Sequence, residues 1–209
     1  SFLKSLYPSS NLRQMNDLDI LISADDYIKA KEIMLELGFS TNEEIFGECY
    51  DDTYTKGNVL MVEIHRHLSR EKNKWENITL DIEKNLEKEE NFSYKMTEED
   101  FYIYHIIHMA KHMYENGFGI RNVVDTWLFN KRYHNVLNRD YIEKSLDKAG
   151  LTAFEKEVSK LVDYWFNNKT ADELTESLSQ FISESGWVGN ERQRASEELA
   201  NMQQEGSKI

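Results

Sequence analysis

The stretch Asn16-Asp17-Leu18-Asp19-Ile20-Leu21-Ile22 constrains this chain most. Two acids, one residue apart, stand at the head of an apolar run. Read as a β-strand over Asp17 to Ile22, the run alternates its side chains between two faces, so Asp17 and Asp19 point the same way, about 7 Å apart. Two carboxylates side by side raise each other's pKa unless a cation lies between them. Hard divalent cations such as Mg²⁺ take carboxylate oxygens of this kind. The motif therefore predicts one wall of a metal site. The alternative is a strand whose solvent face carries two acids, and short matches of this form are common.

A second run, Val59-Leu60-Met61-Val62-Glu63-Ile64-His65-Arg66-His67-Leu68, is apolar until Glu63 interrupts it. As a strand it puts Glu63 on the face opposite Val62 and Ile64. A lone acid in an apolar strand is costly to bury without a partner. A metal shared with Asp17 and Asp19 supplies that partner. The alternative is an edge strand with Glu63, His65 and His67 all facing water.

Charge narrows the substrates. The chain of 209 residues has a formal net charge of -13. Backbone binding to DNA or RNA draws on Lys and Arg to release counterions, so a long nucleic acid is not expected as partner. A nucleotide carried by Mg²⁺ is compatible, because the metal offsets the phosphate charge. Hydrophobic residues make up 40% of the chain, 12% of it being aromatic, enough for a core and too much for a disordered chain. The single cysteine, Cys49, excludes an intrachain disulfide and suits a reducing cytoplasm, the expected location. No run approaches the ~18 apolar residues of a membrane helix, so no membrane partner is expected.

The pattern predicts an α+β chain. Phe2 to Tyr7 reads as the end of a helix and Pro8 to Asn11 as a turn. After the Asp17 strand, Ser23 or Asp25 caps a helix to about Leu37, with Gly38 as its stop. Glu44 to Thr55 and Val59 to Leu68 read as a hairpin turning at Lys56-Gly57-Asn58. Ser69 to Asn91 is charged and weakly periodic, a connector with one strand or short helix around Ile78 to Leu86. From Thr97 the pattern is helical, with acids in the first turn. Further helices are expected at Ile120 to Arg132, Arg139 to Ala149, Ala153 to Asn167, Ala171 to Glu184 and Asn190 to Gln203. The expected domains are 1–92, a small mixed β-sheet with helix packed on it, and 93–209, all helical.

These strands resemble the nucleotidyltransferase superfamily that shares the DNA polymerase β fold, with its D-x-D strand and a third acid on a later strand. More closely, the chain resembles a family of uncharacterised bacterial nucleotidyltransferase-like proteins. That family's pattern runs K-G-x-x-L-x-x-x-Y-P, R-x-M-x-D-x-D-I-L-V, E-x-H-W/R-x-L, then H, K-H, G-x-R and D. Here it is met by Leu3, Tyr7-Pro8, Arg13, Met15, Asp17, Asp19-Ile20-Leu21-Ile22, Glu63, His65, Leu68, His108, Lys111-His112, Gly119-Ile120-Arg121 and Asp125. The matches fall in order over Ser1 to Phe129. The family's glycine before the first helix has no counterpart, because the sequence starts at Ser1. The start of the domain, with half of its phosphate-binding turn, is expected to be missing.

The resemblance implies a nucleotidyltransferase that moves a nucleoside monophosphate from an NTP to a hydroxyl of an unknown small-molecule or protein acceptor. It implies two Mg²⁺ ions held by Asp17, Asp19 and Glu63. Ser1 and nearby N–H groups at a helix start would bind phosphate, with Lys4 and Arg13 as candidates for phosphate charge. It implies a polar cluster of His108, Lys111, His112, Arg121 and Asp125, either facing a cleft or locking helices together. His108 and His112 are four apart and share a helix face. They do not meet the zinc-protease form H-E-x-x-H, since Met109 follows His108. The competing reading is a non-catalytic nucleotide-sensing or partner-binding module that keeps the fold. Trp127, Trp165 and Phe166 are read as core rather than base-stacking groups.

Overall fold

In chain order the elements are α1 (Phe2–Ser5), β1 (Leu18–Leu21), α2 (Tyr27–Glu36), β2 (Ser40–Thr41), β3 (Asp51–Lys56), β4 (Leu60–His65), α3 (Glu76–Lys84), β5 (Glu87–Lys88), β6 (Tyr94–Lys95), α4 (Glu98–Glu115), α5 (Ile120–Tyr133), α6 (Arg139–Lys148), α7 (Thr152–Phe166) and α8 (Glu173–Ser185). They come from a computed structural model that describes residues 2–15, 17–42, 46, 51–57, 60–70, 73–115, 117–187 and 189. The class is α+β, as expected: a small mixed sheet in the N-terminal half and helices in the C-terminal half. The chain divides into two compact units, Ser9–Asp100 and Ser1–Pro8 with Phe101–Ile209.

Period-two patterning builds the sheet of the first unit. The strand order is β1-β4-β3-β2, with β1 parallel to β4 and the other pairs antiparallel. Across the β3–β4 ladder, Asp52 stands opposite Ile64 and Tyr54 opposite Val62, all four buried. The intervening residues Asp51, Thr53, Glu63 and His65 therefore share the other face. On the buried face α2 lays down Tyr27 and Met34, two turns apart, against Tyr54, Val62 and Ile64. Each such side chain taken from water contributes about 1.5–3 kcal/mol. Tyr27 donates a short hydrogen bond to the Asp52 carboxylate. Burial and that carboxylate push the Tyr27 phenol well above its ordinary range. The Arg66 guanidinium lies 4.5 Å from the Tyr27 ring centre.

Gly38 ends α2 as expected. Its φ of +81° is left-handed. The Gly38 N–H bonds the Leu35 carbonyl and the Phe39 N–H bonds that of Met34, the paired bonds of a Schellman cap. The first strand begins one residue later than expected: pairing starts at Leu18 with Val62, and Asp17 precedes it. Of the expected strand from Glu44 to Thr55, the structure describes only Phe46 and the residues from Asp51, which belong to β3.

The weakly periodic connector holds helix α3 and the two-stranded hairpin β5–β6. Its helical period was hard to read because an inward position is polar. Trp75, Thr79 and Ile82 are buried at i, i+4 and i+7. The Thr79 hydroxyl is satisfied by Ser69 Oγ at 2.7 Å and by the Glu76 carbonyl.

In the helical unit the long apolar faces dictate the packing. Tyr102, Ile103, Ile106 and Met109 of α4 are fully buried, with Val123 and Phe129 of α5, Val158 and Leu161 of α7, and Ile182 of α8. Helix α5 packs on α7, and α7 on α8. At the chain start, Phe2 of α1 stacks its ring 4.4 Å from Phe101, 6.2 Å from Phe129 and 5.9 Å from Tyr133. The N-terminus of α5 has no side-chain cap. Its Ile120 and Arg121 N–H groups instead donate to the carbonyls of Gly186 and Trp187, just past α8. The helix expected over Asn190 to Gln203 lies outside the described residues. No helix among the described residues is long and apolar enough to cross a membrane.

Candidate metal centre

The solvent-facing side of the sheet gathers the acids. In the parallel β1–β4 ladder Asp19 stands directly across from Glu63, and His65 follows two residues on, across from Leu21. Cross-strand neighbours on one face lie close enough to interact. The His65 Nε2 atom lies 3.2 Å from Asp19 Oδ1 and 3.6 Å from Glu63 Oε2. One ligand atom from each of Asp19, Glu63 and His65 falls within 4.8 Å of the other two. Among the described residues this is the group of three that meets the spacing a metal ion needs.

The three side chains differ in depth: Asp19 is 59% exposed, Glu63 26% and His65 13%. The imidazole forms the floor and the carboxylates rise above it. The electrostatics ask for positive charge here. Burial by itself pulls the His65 pKa down. Hydrogen bonds to Asp19 and Glu63, with the charges of Asp19 and Asp51, outweigh it and push the value up to about 9. A cation placed at this meeting point satisfies the same demand as the His65 proton, so the donor set fits a divalent metal.

Strand β4 runs between β1 and β3, so the edge-strand alternative for Glu63, His65 and His67 does not hold. His67, beyond the end of β4, is turned to Glu83, whose carboxylate lies 3.1 Å from His67 Nδ1 and accepts the Leu68 N–H at 2.6 Å. Asp17 is half-buried just ahead of the β1 ladder, so the strand's pleat does not set its direction, and it is not in the three-membered group. His65 was visible in the sequence as a motif residue without a role. Asp51 was not singled out; the alternation of the β3–β4 hairpin was the signal that puts it opposite His65.

The other candidates are distributed as follows. Ser1 lies outside the described residues. Lys4 is half-buried on α1, in the helical unit, and Arg13 is buried in the α/β unit after a 3₁₀ turn at Ser10–Leu12. On α4, His108 and His112 meet with their Nε2 atoms 3.2 Å apart. Lys111 and Arg121 are half-buried. Asp125 is fully buried and accepts a hydrogen bond from the Tyr7 hydroxyl at 2.7 Å. Two pieces of the sequence pattern 118 residues apart are thus joined directly. His105 is buried with its Nε2 2.9 Å from the Thr126 hydroxyl. Trp127 stacks on Phe166 at 4.6 Å, and the Trp165 N–H donates to Ser179, consistent with interhelical packing.

A family model described as an uncharacterised nucleotidyltransferase matches residues 1–167 of the chain. No curated protein and no solved structure matches it.

Proposed function

The chain belongs to this nucleotidyltransferase family, and from that premise we propose that it transfers a nucleoside monophosphate from an NTP to a hydroxyl of a small molecule or a protein. The observation that carries the reading is the Asp19–Glu63 pair, side by side on the open face of the sheet with His65 between them. Chemistry is assigned to the domain expected over 1–92, with 93–209 as its helical companion. The reading places the chain in the cytoplasm, where NTPs are available.

In the reaction, the acceptor oxygen attacks the α-phosphorus, its proton leaves, the bond from that phosphorus to the bridging oxygen breaks, and pyrophosphate departs. Asp19 and Glu63 would hold divalent cations, Mg²⁺ in the first instance and two in number, with Asp17 as the third carboxylate. Such ions, when bound, neutralise phosphate charge and stabilise attacking and leaving oxygens. The carboxylates' task is to fix that charge at one spot on a rigid strand pair. Asp19, the most exposed, faces the incoming nucleotide, and Glu63, deeper on β4, is less free to move. Lys4, Arg13 and Ser1 are the candidates for phosphate contacts. The acidic balance of the chain, -13, favours a compact acceptor over a long nucleic acid.

Incubation with each of the four α-labelled NTPs and a cell lysate tests the reading. Label transfer with pyrophosphate release, lost in Asp19→Asn and Glu63→Gln, supports it. Mg²⁺-dependent NTP binding without transfer or pyrophosphate supports the nucleotide-sensing module instead. NTP binding indifferent to Mg²⁺ and to both substitutions removes the metal centre from the account.

A further inference from the structure

We infer that His65 is itself a metal ligand, so that the cation held by Asp19 and Glu63 takes one imidazole nitrogen and the site favours a first-row transition ion, for which Mn²⁺ is the probe, over Mg²⁺. The inference rests on the divalent-cation reading above and deepens it.

Geometry carries it. Adjacent ligands on an octahedral ion with bonds of about 2.1–2.3 Å lie roughly 3.0–3.3 Å apart, and opposite ligands roughly 4.2–4.6 Å. His65 Nε2 is 3.2 Å from Asp19 Oδ1 and 3.6 Å from Glu63 Oε2, and the three donor atoms lie within 4.8 Å of one another. The first separation is that of adjacent ligands, and side-chain movements of a few tenths of an ångström bring all three donors into one coordination sphere. The backbone enforces this grouping. Glu63 and His65 are two residues apart on an interior strand and so share its face, while Asp19 is held across the ladder from Glu63. The imidazole is the best shielded of the three, at 13% exposure. A ligand fixed by packing loses little freedom when it binds.

Chemistry then sets the preference. Mg²⁺ dehydrates reluctantly and is typically held by one or two carboxylates and several waters. A set of two oxygens and one imidazole nitrogen follows the Irving–Williams trend and gains more from a transition ion. Asp19 and Glu63 alone make an ordinary Mg²⁺ carboxylate pair; His65 tilts the site away from it. The remaining positions on the ion stay open on the exposed side, where Asp19 lies at 59% exposure.

The test uses the full chain with Mn²⁺ alone and Mg²⁺ alone as probes. Mn²⁺ binding is followed by loss of the free-ion EPR signal, Mg²⁺ by competition, and the nitrogen ligand by ¹⁴N modulation in pulsed EPR of the Mn²⁺-loaded protein. Wild type is expected to prefer Mn²⁺ by about tenfold or more and to show imidazole modulation. In His65→Gln the modulation disappears and the preference falls to about threefold or less, while Asp19→Asn weakens both ions. Mn²⁺ bound to wild type without ¹⁴N coupling overturns the inference, and so does coupling that survives His65→Gln. In both cases weakening by Asp19→Asn leaves the cation reading standing. Mn²⁺ binding that Asp19→Asn does not alter overturns both. If His65→Gln fails to fold, Asp19→Asn carries the test: a ¹⁴N modulation that Asp19→Asn leaves unchanged puts the bound ion elsewhere and overturns the inference.

Discussion

Replacing Tyr7 by Phe tests what the chain start does. The Tyr7 hydroxyl donates to Asp125 Oδ1 at 2.7 Å, and Asp125 is fully buried on α5. Tyr7→Phe keeps the ring and removes only the donor. Asp125 is buried, so the loss is that of a hydrogen bond to a buried carboxyl group, about 1.5–3 kcal/mol. Both partners belong to the helical unit. An unfolding entropy of about 2.1 cal/mol/K per residue over a unit of about 120 residues converts each kcal/mol into about 4 °C. Tyr7→Phe should therefore lower that unit's melting temperature by roughly 6–12 °C. Calorimetry or far-UV circular dichroism reads the shift. A double-mutant cycle with Asp125→Ala should return a coupling of about 1–3 kcal/mol. Melting within about 1 °C of wild type, or a coupling below about 0.5 kcal/mol, refutes the reasoning. The other role open to Asp125, in a cluster facing a cleft, makes the opposite prediction: transfer activity falls and stability does not.

Three further outcomes follow from the same geometry. Asp19→Asn and Glu63→Gln should each lower nucleotidyl transfer by about a hundredfold or more, since each removes a charge meant to fix the metals. Above about pH 9, where His65 is neutral, neither should shift stability by more than about 1 kcal/mol, as both lie on the solvent side of the sheet; unfolded variants would void that expectation. In protein stripped of metal, His65 is a raised base, so its contribution to stability is fully present below pH 6.5 and is lost as pH rises through about 9. Denaturation curves from pH 6 to 10 should show that loss in wild type but not in His65→Gln; identical profiles refute it. Asp172 caps α8 through the Thr175 N–H and pairs with Lys160 at 2.8 Å, and Lys160 first, then Thr175, hold its carboxyl well below the usual range. Its stabilisation is present above the ordinary Asp pKa and lost as pH falls below it. Asp172→Ala should therefore flatten the acid limb of the helical melt, and an unchanged limb counts against the cap.

The order of elements was legible where local rules act alone. Gly38 stops α2 because only a left-handed residue completes the cap there. Thr97 opens α4 because its hydroxyl accepts the Asp100 N–H at 3.1 Å. Alternation along Val62, Glu63 and Ile64 put Glu63 on the face opposite Val62 and Ile64, as the structure has it. Helix α3 stayed open between a strand and a short helix because its inward Thr79 is polar, its hydroxyl meeting Ser69 ten residues away.

By itself the sequence determined the alternating faces, the caps and the presence of three acids in two apolar runs. Those depend on the 3.6 and 2.0 periodicities and on side chains within a few residues of one another. Only the tertiary structure decided which residues meet. The parallel pairing of β1 with β4 brings Asp19 to Glu63, and the interior place of β4 turns His65 into the floor of that site. Asp17, one residue ahead of the ladder, does not join that group of three. Register and strand order are long-range choices made by burying Val62, Ile64 and Tyr54 against α2. No local pattern in the chain carries that information, so the D-x-D motif pointed to a metal centre while the group of possible ligands that the fold brings together is Asp19, Glu63 and His65.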